Sequence, residues 1–355
     1  MERAPSPTMS SLATASAEAG DGGVGGKAGV APQTALALAA GRALYAHAAR
    51  ARLLSARMTL LQHAGRVAFH AACIGEEVAI AATAMALREG DWFFPGHREW
   101  AGALVRGIPT AAYAHQAFGT AVDVVKGHGA PDHPASRARH VVPASGLVGA
   151  HLVQAVGAAW AARMRKDDVV TLAMFGTSAA ATGDFHNAVN FAGVFKAPCV
   201  LVSRASRLGA KKADLADRAA AYGVACASVD GGDGLAVLTL VREAIARAAA
   251  GKGATLVEVA TERFTSLPDE WSAPELLSLG AAGADPLARL RAALERDGAL
   301  DAAGHEALVA ELRAEIDAAV AAAEGAARPP IASMFEDVYA ELPAHLRAQA
   351  EEASS

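Results

Sequence analysis

A mostly apolar run over residues 169–175, Val-Val-Thr-Leu-Ala-Met-Phe, stops at Gly176. A segment of small, helix-competent residues follows to His186, and a second apolar run opens at Pro198-Cys-Val-Leu-Val202. The order predicts a strand–turn–helix–strand unit. In open α/β sheets, ligands bind beyond the carboxyl ends of the strands, where this turn points. Its residues, Gly176, Thr177 and Ser178, suit close approach to a phosphate, yet they bring no carboxylate.

The rest of the chain repeats that alternation. Leu36, Leu53, Leu54, Met58 and Leu61 recur at helical spacing within 34–64, and a further helix is expected over 75–88. A short strand at 91–94 ends at Pro95-Gly96, and 99–118 reads as helix. Glycines, prolines, His128 and His133 make 126–139 a loop. Residues 148–165 form a helix with small residues on one face, including Gly149, Gly157 and Ala161, which calls for a close neighbour. Strands are expected at 222–229 and 255–260, with a helix at 235–250 between them. The fold class is therefore α/β, a mostly parallel sheet with helices on both faces. Three regions follow: a disordered tail at 1–33 rich in Ala, Ser, Gly and Pro, an α/β domain at 34–270, and a helical segment at 271–355.

Several classes are excluded by composition. The net charge of −5 opposes general nucleic-acid binding. No apolar stretch approaches the ~18 residues a membrane span requires. Three widely spaced cysteines suggest a reducing compartment, and the reading is cytoplasmic.

At Phe175-Gly-Thr-Ser-Ala-Ala-Ala-Thr-Gly-Asp-Phe-His-Asn-Ala-Val-Asn-Phe-Ala192 the sequence resembles the α subunit of the decarboxylating dehydrogenase component of 2-oxo acid dehydrogenase complexes, the family of the pyruvate and branched-chain enzymes. That family reads Phe-Gly-Asp-Gly-Ala-x-x-Glu-Gly-Asp-Phe-His-Glu-Ala-x-Asn-Phe-Ala here. Ile74-Gly-Glu-Glu-Val78 is similar to its Gly-Gln-Glu-Ala, and Phe94-Pro-Gly-His-Arg-Glu99 to its Tyr-Arg-Glu segment. Lys126-Gly-His-Gly129, Gln154-Ala-Val-Gly-Ala-Ala159 and Val229-Asp-Gly-Gly-Asp233 follow in the same order. The likeness runs from about Leu44 to Arg263.

The resemblance implies a thiamin-diphosphate-binding fold whose α subunit holds the diphosphate and Mg²⁺. A separate β subunit holds the rest of the cofactor, usually in an α2β2 tetramer, with a lipoyl acyltransferase core as a further partner. Carried over residue by residue, it assigns Arg98 to the diphosphate, with an ion pair to a nearby carboxylate as the alternative reading of that residue. It assigns Gly146, Val148 and Gly149 to the aminopyrimidine ring, Gly176, Gly183 and Asp184 to the turn, and Arg263 to the segment after the last strand. Asp184 is also expected to cap the helix that follows.

The departures fall at the metal. The family's Asp ligand is Thr177 here, and its Asn-Asn pair is Ala205-Ser206. Mg²⁺ favours an octahedron of oxygens with at least one carboxylate, so binding of the family type is lost or severely weakened. The active-site His of the family's Tyr-Arg-x-Gly-His-His-Ser is missing from Glu262-Arg-Phe-Thr-Ser-Leu-Pro268, which leaves no catalytic residue assigned. Arg204, Arg207, Lys211 and Lys212 lie near the vacated position. They are either a metal-free phosphate site, since Arg binds phosphate bidentately, or a solvated basic loop, the simpler reading. Gly176-Thr-Ser178 also has the outline of a nucleophile elbow, but Asp230 and His305 are poor partners for it. Two functions are left: an α-subunit-like component that decarboxylates 2-oxo acids with a β subunit, or an inactive homologue serving as scaffold or regulator of an authentic pair.

Overall fold

A computed structural model describes residues 32–206, 215–280 and 283–354 of the 355-residue chain. The helices are α1 (Pro32–His63), α2 (Glu77–Ala86), α3 (Trp100–Val105), α4 (Thr110–Phe118), α5 (Ala150–Arg165), α6 (Gly183–Val194), α7 (Leu215–Ala221), α8 (Gly234–Ala249), α9 (Pro286–Arg296), α10 (Ala302–Gly325) and α11 (Ala344–Ser354). The strands are β1 (Trp92–Phe94), β2 (Thr171–Gly176), β3 (Cys199–Ser206), β4 (Ala225–Asp230) and β5 (Thr255–Thr261). They form one sheet in the order β1-β2-β3-β5-β4, every pair parallel. This is the α/β class expected from the sequence.

Side chains alternate between the two faces, as the pleat requires. Leu172 and Met174 of β2, with Val200 and Val202 of β3, enter a core built with α1, α2, α8, α9 and α10. Ala173, Phe175, Cys199 and Leu201 enter a second core against α5 and α6. A sheet buried on both faces explains why its strands read as apolar runs rather than as alternating ones.

The region 99–118 is two helices rather than one. Gly107 takes φ +93°, and Pro109, with no N–H to donate, stands as the N-cap of α4. After residue 271, helices α9 and α10 pack into the main core, with Leu287, Leu290, Leu312, Ile316 and Val320 all buried there. Among the described residues, no helix is long and apolar enough to cross a membrane.

Candidate functional site

The carboxyl ends of β1, β2, β3 and β5 meet the start of α2 around one crevice. Gly176 ends β2 and pairs in register with Arg204 of β3. Val200, Val202 and Arg204 share a strand face, so the guanidinium turns inward, toward α2. No side chain at Gly176 stands in its way: Arg204 Nη2 lies 4.0 Å from where a Cβ there would sit.

Arg204 is 5% exposed and is clamped by two equally buried carboxylates. Its Nε donates to Glu99 Oε1 at 2.5 Å, and its Nη2 pairs with the same carboxylate. On the other side, Nη1 lies 2.5 Å from Glu76 Oε2. Thr261 at the end of β5 donates to Glu76 Oε1 at 3.1 Å, which orients that carboxylate. Burial opposes the charge on Arg204, but Glu99 and Glu76 outweigh it and raise its pKa further. Arg204 is thus a buried, paired residue of a strand, contrary to the expectation of a solvated basic loop. Arg207, Lys211 and Lys212 lie outside the described residues.

The other residues singled out in the sequence fall into two groups. Arg98, Gly176, Thr177, Ala205 and Arg263 all lie at or just beyond the strand ends, Arg263 exposed. Arg98 is half-buried, and its Nε is buried without a hydrogen-bond partner among the described residues. Its pKa is lowered by burial and then by the neighbouring Arg204, with Arg263 adding to the effect. Arg263 follows β5 in a segment that crosses Gly75. The Gly75 Cβ position would be 2.3 Å from Glu262 O and 3.2 Å from Arg263 Cα, so only glycine allows this crossing. Ser206 ends β3 beside Thr261.

Gly149 and the start of α6 make the second group. Gly149 is the left-handed N-cap of α5 at φ +87°, and a Cβ there would meet Thr182 Oγ1 at 2.7 Å. Thr182 itself caps α6, accepting from Phe185 N at 3.2 Å. The cap expected of Asp184 therefore belongs to Thr182, and Asp184 sits in the first turn, where its charge complements the helix dipole. Gly183 and Gly146 face open space, and Val148 is exposed.

Two histidines also lie at this end of the sheet, His97 within the Phe94–Glu99 motif and His151, expected from the sequence to be structural. His97, between Gly96 and Arg98, has its pKa lowered mainly by burial, with Arg98, Arg204 and His133 contributing and Glu99 opposing. His151 of α5 donates from Nε2 to Met174 O at 2.8 Å, which leaves Nδ1 without a proton. The sequence signal for the crevice was present all the same, since Glu76, His97 and Glu99 lie inside the segments that carried the family resemblance.

The dehydrogenase E1 component family matches residues 45–332. The 2-oxoisovalerate dehydrogenase subunit alpha of Pseudomonas aeruginosa is 33% identical over 323 residues, covering 85% of this chain and 78% of that one. The 3-methyl-2-oxobutanoate dehydrogenase subunit alpha of Mycobacterium tuberculosis is 33% identical over 327 residues, covering 88% and 86%. The pyruvate dehydrogenase E1 component subunit alpha of Staphylococcus aureus is 29% identical over 315 residues, covering 84% and 82%. The chain belongs to the dehydrogenase E1 component family. Its sheet and surrounding helices are the α/β, thiamin-diphosphate-type fold that the sequence resemblance implied.

The E1 crevice of this chain does not fit a divalent cation held as that resemblance implies. Magnesium takes octahedral oxygen ligands at about 2.1 Å. Thr177 offers one neutral hydroxyl, Ala205 offers none, and the two carboxylates in reach are already paired with Arg204. No group of three or more His, Cys, Asp or Glu among the described residues could hold a metal ion.

Proposed function

We propose that this chain is an α-subunit-like component of a 2-oxo acid dehydrogenase, working with a β subunit, in an α2β2 assembly, on pyruvate or a branched-chain 2-oxo acid. The match to subunit alpha of the Pseudomonas aeruginosa 2-oxoisovalerate enzyme over 85% of this chain carries the reading. An exposed apolar face supports the need for a partner. On α5, Trp160 is 40% and Met164 68% exposed; on α6, Phe191 is 44% and Val194 65% exposed. Trp160 stacks on Phe195 at 4.3 Å, so the face is firm rather than frayed. Leu147 and Val148, just before α5, are exposed as well. Apolar patches of this kind mark interaction surfaces. A cytoplasmic location is supported by Cys73, Cys199 and Cys226, all free thiols.

In this reading the reaction is oxidative decarboxylation with acyl transfer to a lipoyl group of an acyltransferase core. Thiamin diphosphate supplies the carbon chemistry in that family. The present crevice does not fit its magnesium-bridged form, and no catalytic step is assigned to residues of this chain. The clamp on Arg204 favours a second reading, a homologue without turnover that acts as scaffold or regulator of an authentic pair.

Co-expression with a β subunit from the same genome separates these readings. The α-subunit-like reading expects a stable complex that turns over pyruvate or 2-oxoisovalerate in the presence of acceptor lipoyl domain. The scaffold reading expects the complex without turnover. Failure to form any complex with the β subunit would overturn both.

A further inference from the structure

We propose that a cavity between the α3–α4 junction and the loop joining α4 to α5 binds an aliphatic α-amino acid, with Arg139 receiving its carboxylate and Asp123 its ammonium group. The inference goes beyond the α-subunit reading and does not rest on it.

The cavity has a volume of about 180 Å³, and Arg98, Gly176, Arg204 and Arg263 of the strand-end crevice take no part in lining it. An engineered apolar cavity of about 150 Å³ in another protein holds one benzene, so the space here suits a ligand of similarly few heavy atoms. Ile108, Pro109, Ala112 and Val124 give it an apolar wall. Val124 is largely exposed and stands at the rim.

Two buried polar groups in this wall lack part of their pairing. Gln116 and Asp123 are only 5% and 6% exposed. Groups so buried are ordinarily hydrogen-bonded in full. Gln116 Oε1 accepts from His133 N at 3.2 Å, which fixes the amide with its NH₂ as the free end. Asp123 Oδ2 accepts from Gly127 N at 3.1 Å. Neither the Gln116 NH₂ nor Asp123 Oδ1 has a partner among the described residues. Lys126 does not supply one for Asp123, because its ammonium pairs with Glu336 and Asp337 at 2.9 and 2.6 Å.

The cation comes from the other side of the cavity. Gly107 takes φ +93°, and a Cβ there would lie 3.3 Å from Arg139 Cζ and 3.4 Å from its Nε. The guanidinium therefore rests against a backbone kept bare at that point. Its side chain makes no hydrogen bond or ion pair among the described residues, although Asp123 lines the same cavity. One cavity thus holds an unpaired anion and an unpaired cation that do not reach each other.

A ligand that joins them carries both opposite charges and an apolar substituent. An aliphatic α-amino acid has this chemistry on a single carbon. A guanidinium meets a carboxylate with two parallel donors, and the Gln116 NH₂ offers a further one. The ammonium donates to Asp123 Oδ1, and the side chain lies on Ile108, Pro109 and Ala112. A plain carboxylic acid leaves Asp123 unpaired, and a plain amine leaves Arg139 unpaired. A 2-oxo acid sets a carbonyl oxygen against the Asp123 carboxylate, so two acceptors face each other.

The test is calorimetric titration of the full chain with L-valine, followed by displacement of L-valine with isobutyrate and with isobutylamine, each of which lacks one charge. Saturable binding of one L-valine per chain at millimolar or lower concentration is expected, with both competitors roughly tenfold or more weaker. Arg139→Gln, at an exposed position, is expected to weaken L-valine roughly tenfold or more, the loss of a charge-assisted pair. Asp123→Asn, which keeps an acceptor for Gly127 N, is expected to do the same. Ala112→Leu fills the apolar wall and is expected to abolish binding, with circular dichroism confirming the fold of each variant. Should Asp123→Asn fail to fold, Arg139→Gln and Ala112→Leu decide. No saturation by about 20 mM L-valine, unchanged affinity in Arg139→Gln and Ala112→Leu, or displacement by isobutyrate or isobutylamine as readily as by L-valine itself would each overturn the proposal. None of these readouts uses a β subunit or turnover, so they fail independently of the α-subunit reading.

Discussion

Arg204 sets the character of this molecule at the scale of one residue. Removing its side chain leaves Glu76 and Glu99 buried without a counter-charge, which costs about 3–5 kcal/mol when one partner of a buried pair is lost. Arg204→Met should therefore lower the unfolding free energy obtained from urea denaturation by that amount, whereas Glu99→Gln, which keeps a hydrogen-bond acceptor for Nε, should cost less. A midpoint unchanged in Arg204→Met would show the clamp to be absent in solution. The neutral substitutions at Thr177 and Ala205 were readable as letters, because a carboxylate or carboxamide is simply missing there. The inward turn of Arg204 was harder to read. The apolar run ends at Val202, but β3 continues to Ser206, and period-two alternation carried two residues further places Arg204 on the face of Val200 and Val202. Neither Glu76 nor Glu99 is close to it in sequence, so the pair of carboxylates that holds it emerges only from the packing of α2 and the 96–99 turn on the strand ends.

A second buried network of this kind lies between elements rather than in a strand. Asp132, at φ +61°, accepts from Tyr113 Oη and from Ala71 N, and its Oδ1 lies 3.1 Å from His70 Nδ1. His70 Nε2 in turn is 3.1 Å from Ser55 Oγ, so one carboxylate ties α1, α4 and the 120–136 loop to the segment leading into α2. Asp132→Ala orphans several buried polar groups at once and should cost on the order of 2–4 kcal/mol, read from denaturant unfolding. Helix caps show the same logic on a smaller scale. Thr182→Ala should cost about 1 kcal/mol because it removes the side-chain acceptor at the start of α6. Asp184→Asn should change stability by no more than about a few tenths of a kcal/mol, since only a charge–dipole interaction is lost at a half-buried turn. An equal loss in the two variants would return the cap to Asp184. Most helices were legible from spacing alone, including α1, α2 and α8. The break between α3 and α4 was not, because the helical periodicity of 99–118 overrode the signal of Gly107 and Pro109.

At the scale of the whole molecule, buried ionisable groups tie stability to pH. His151 is held below the usual histidine value by burial, with its Met174 hydrogen bond opposing, and burial lowers His47 and His97 as well. A histidine whose folded pKa lies below its unfolded value of 6.5 binds fewer protons folded than unfolded. Its stabilising contribution is present above 6.5 and is lost as the pH falls through the folded value, so acidification below 6.5 should weaken the fold. Asp285 has the same sign lower on the scale. Burial pushes its carboxyl up, but the hydrogen bonds and charge of Arg52, with Leu279 N and Leu287 N, hold it below 3.8. Arg52 grips Asp285 with two parallel hydrogen bonds of 3.0 and 2.8 Å, and the other side of its guanidinium pairs with Glu77, so α1, α2 and the start of α9 are joined in one buried cluster. Acid below 3.8 should therefore detach the C-terminal helices from the core they share with α1. Chemical denaturation at about pH 7.5 and about pH 5.5 isolates the histidine step from the carboxylate step. The parent chain should lose stability between the two, and His151→Gln, which keeps a donor for Met174 O but has nothing to protonate, should lose less. Equal losses in parent and variant would show that His151 titrates at an ordinary value, and that its buried Nδ1 is open to water.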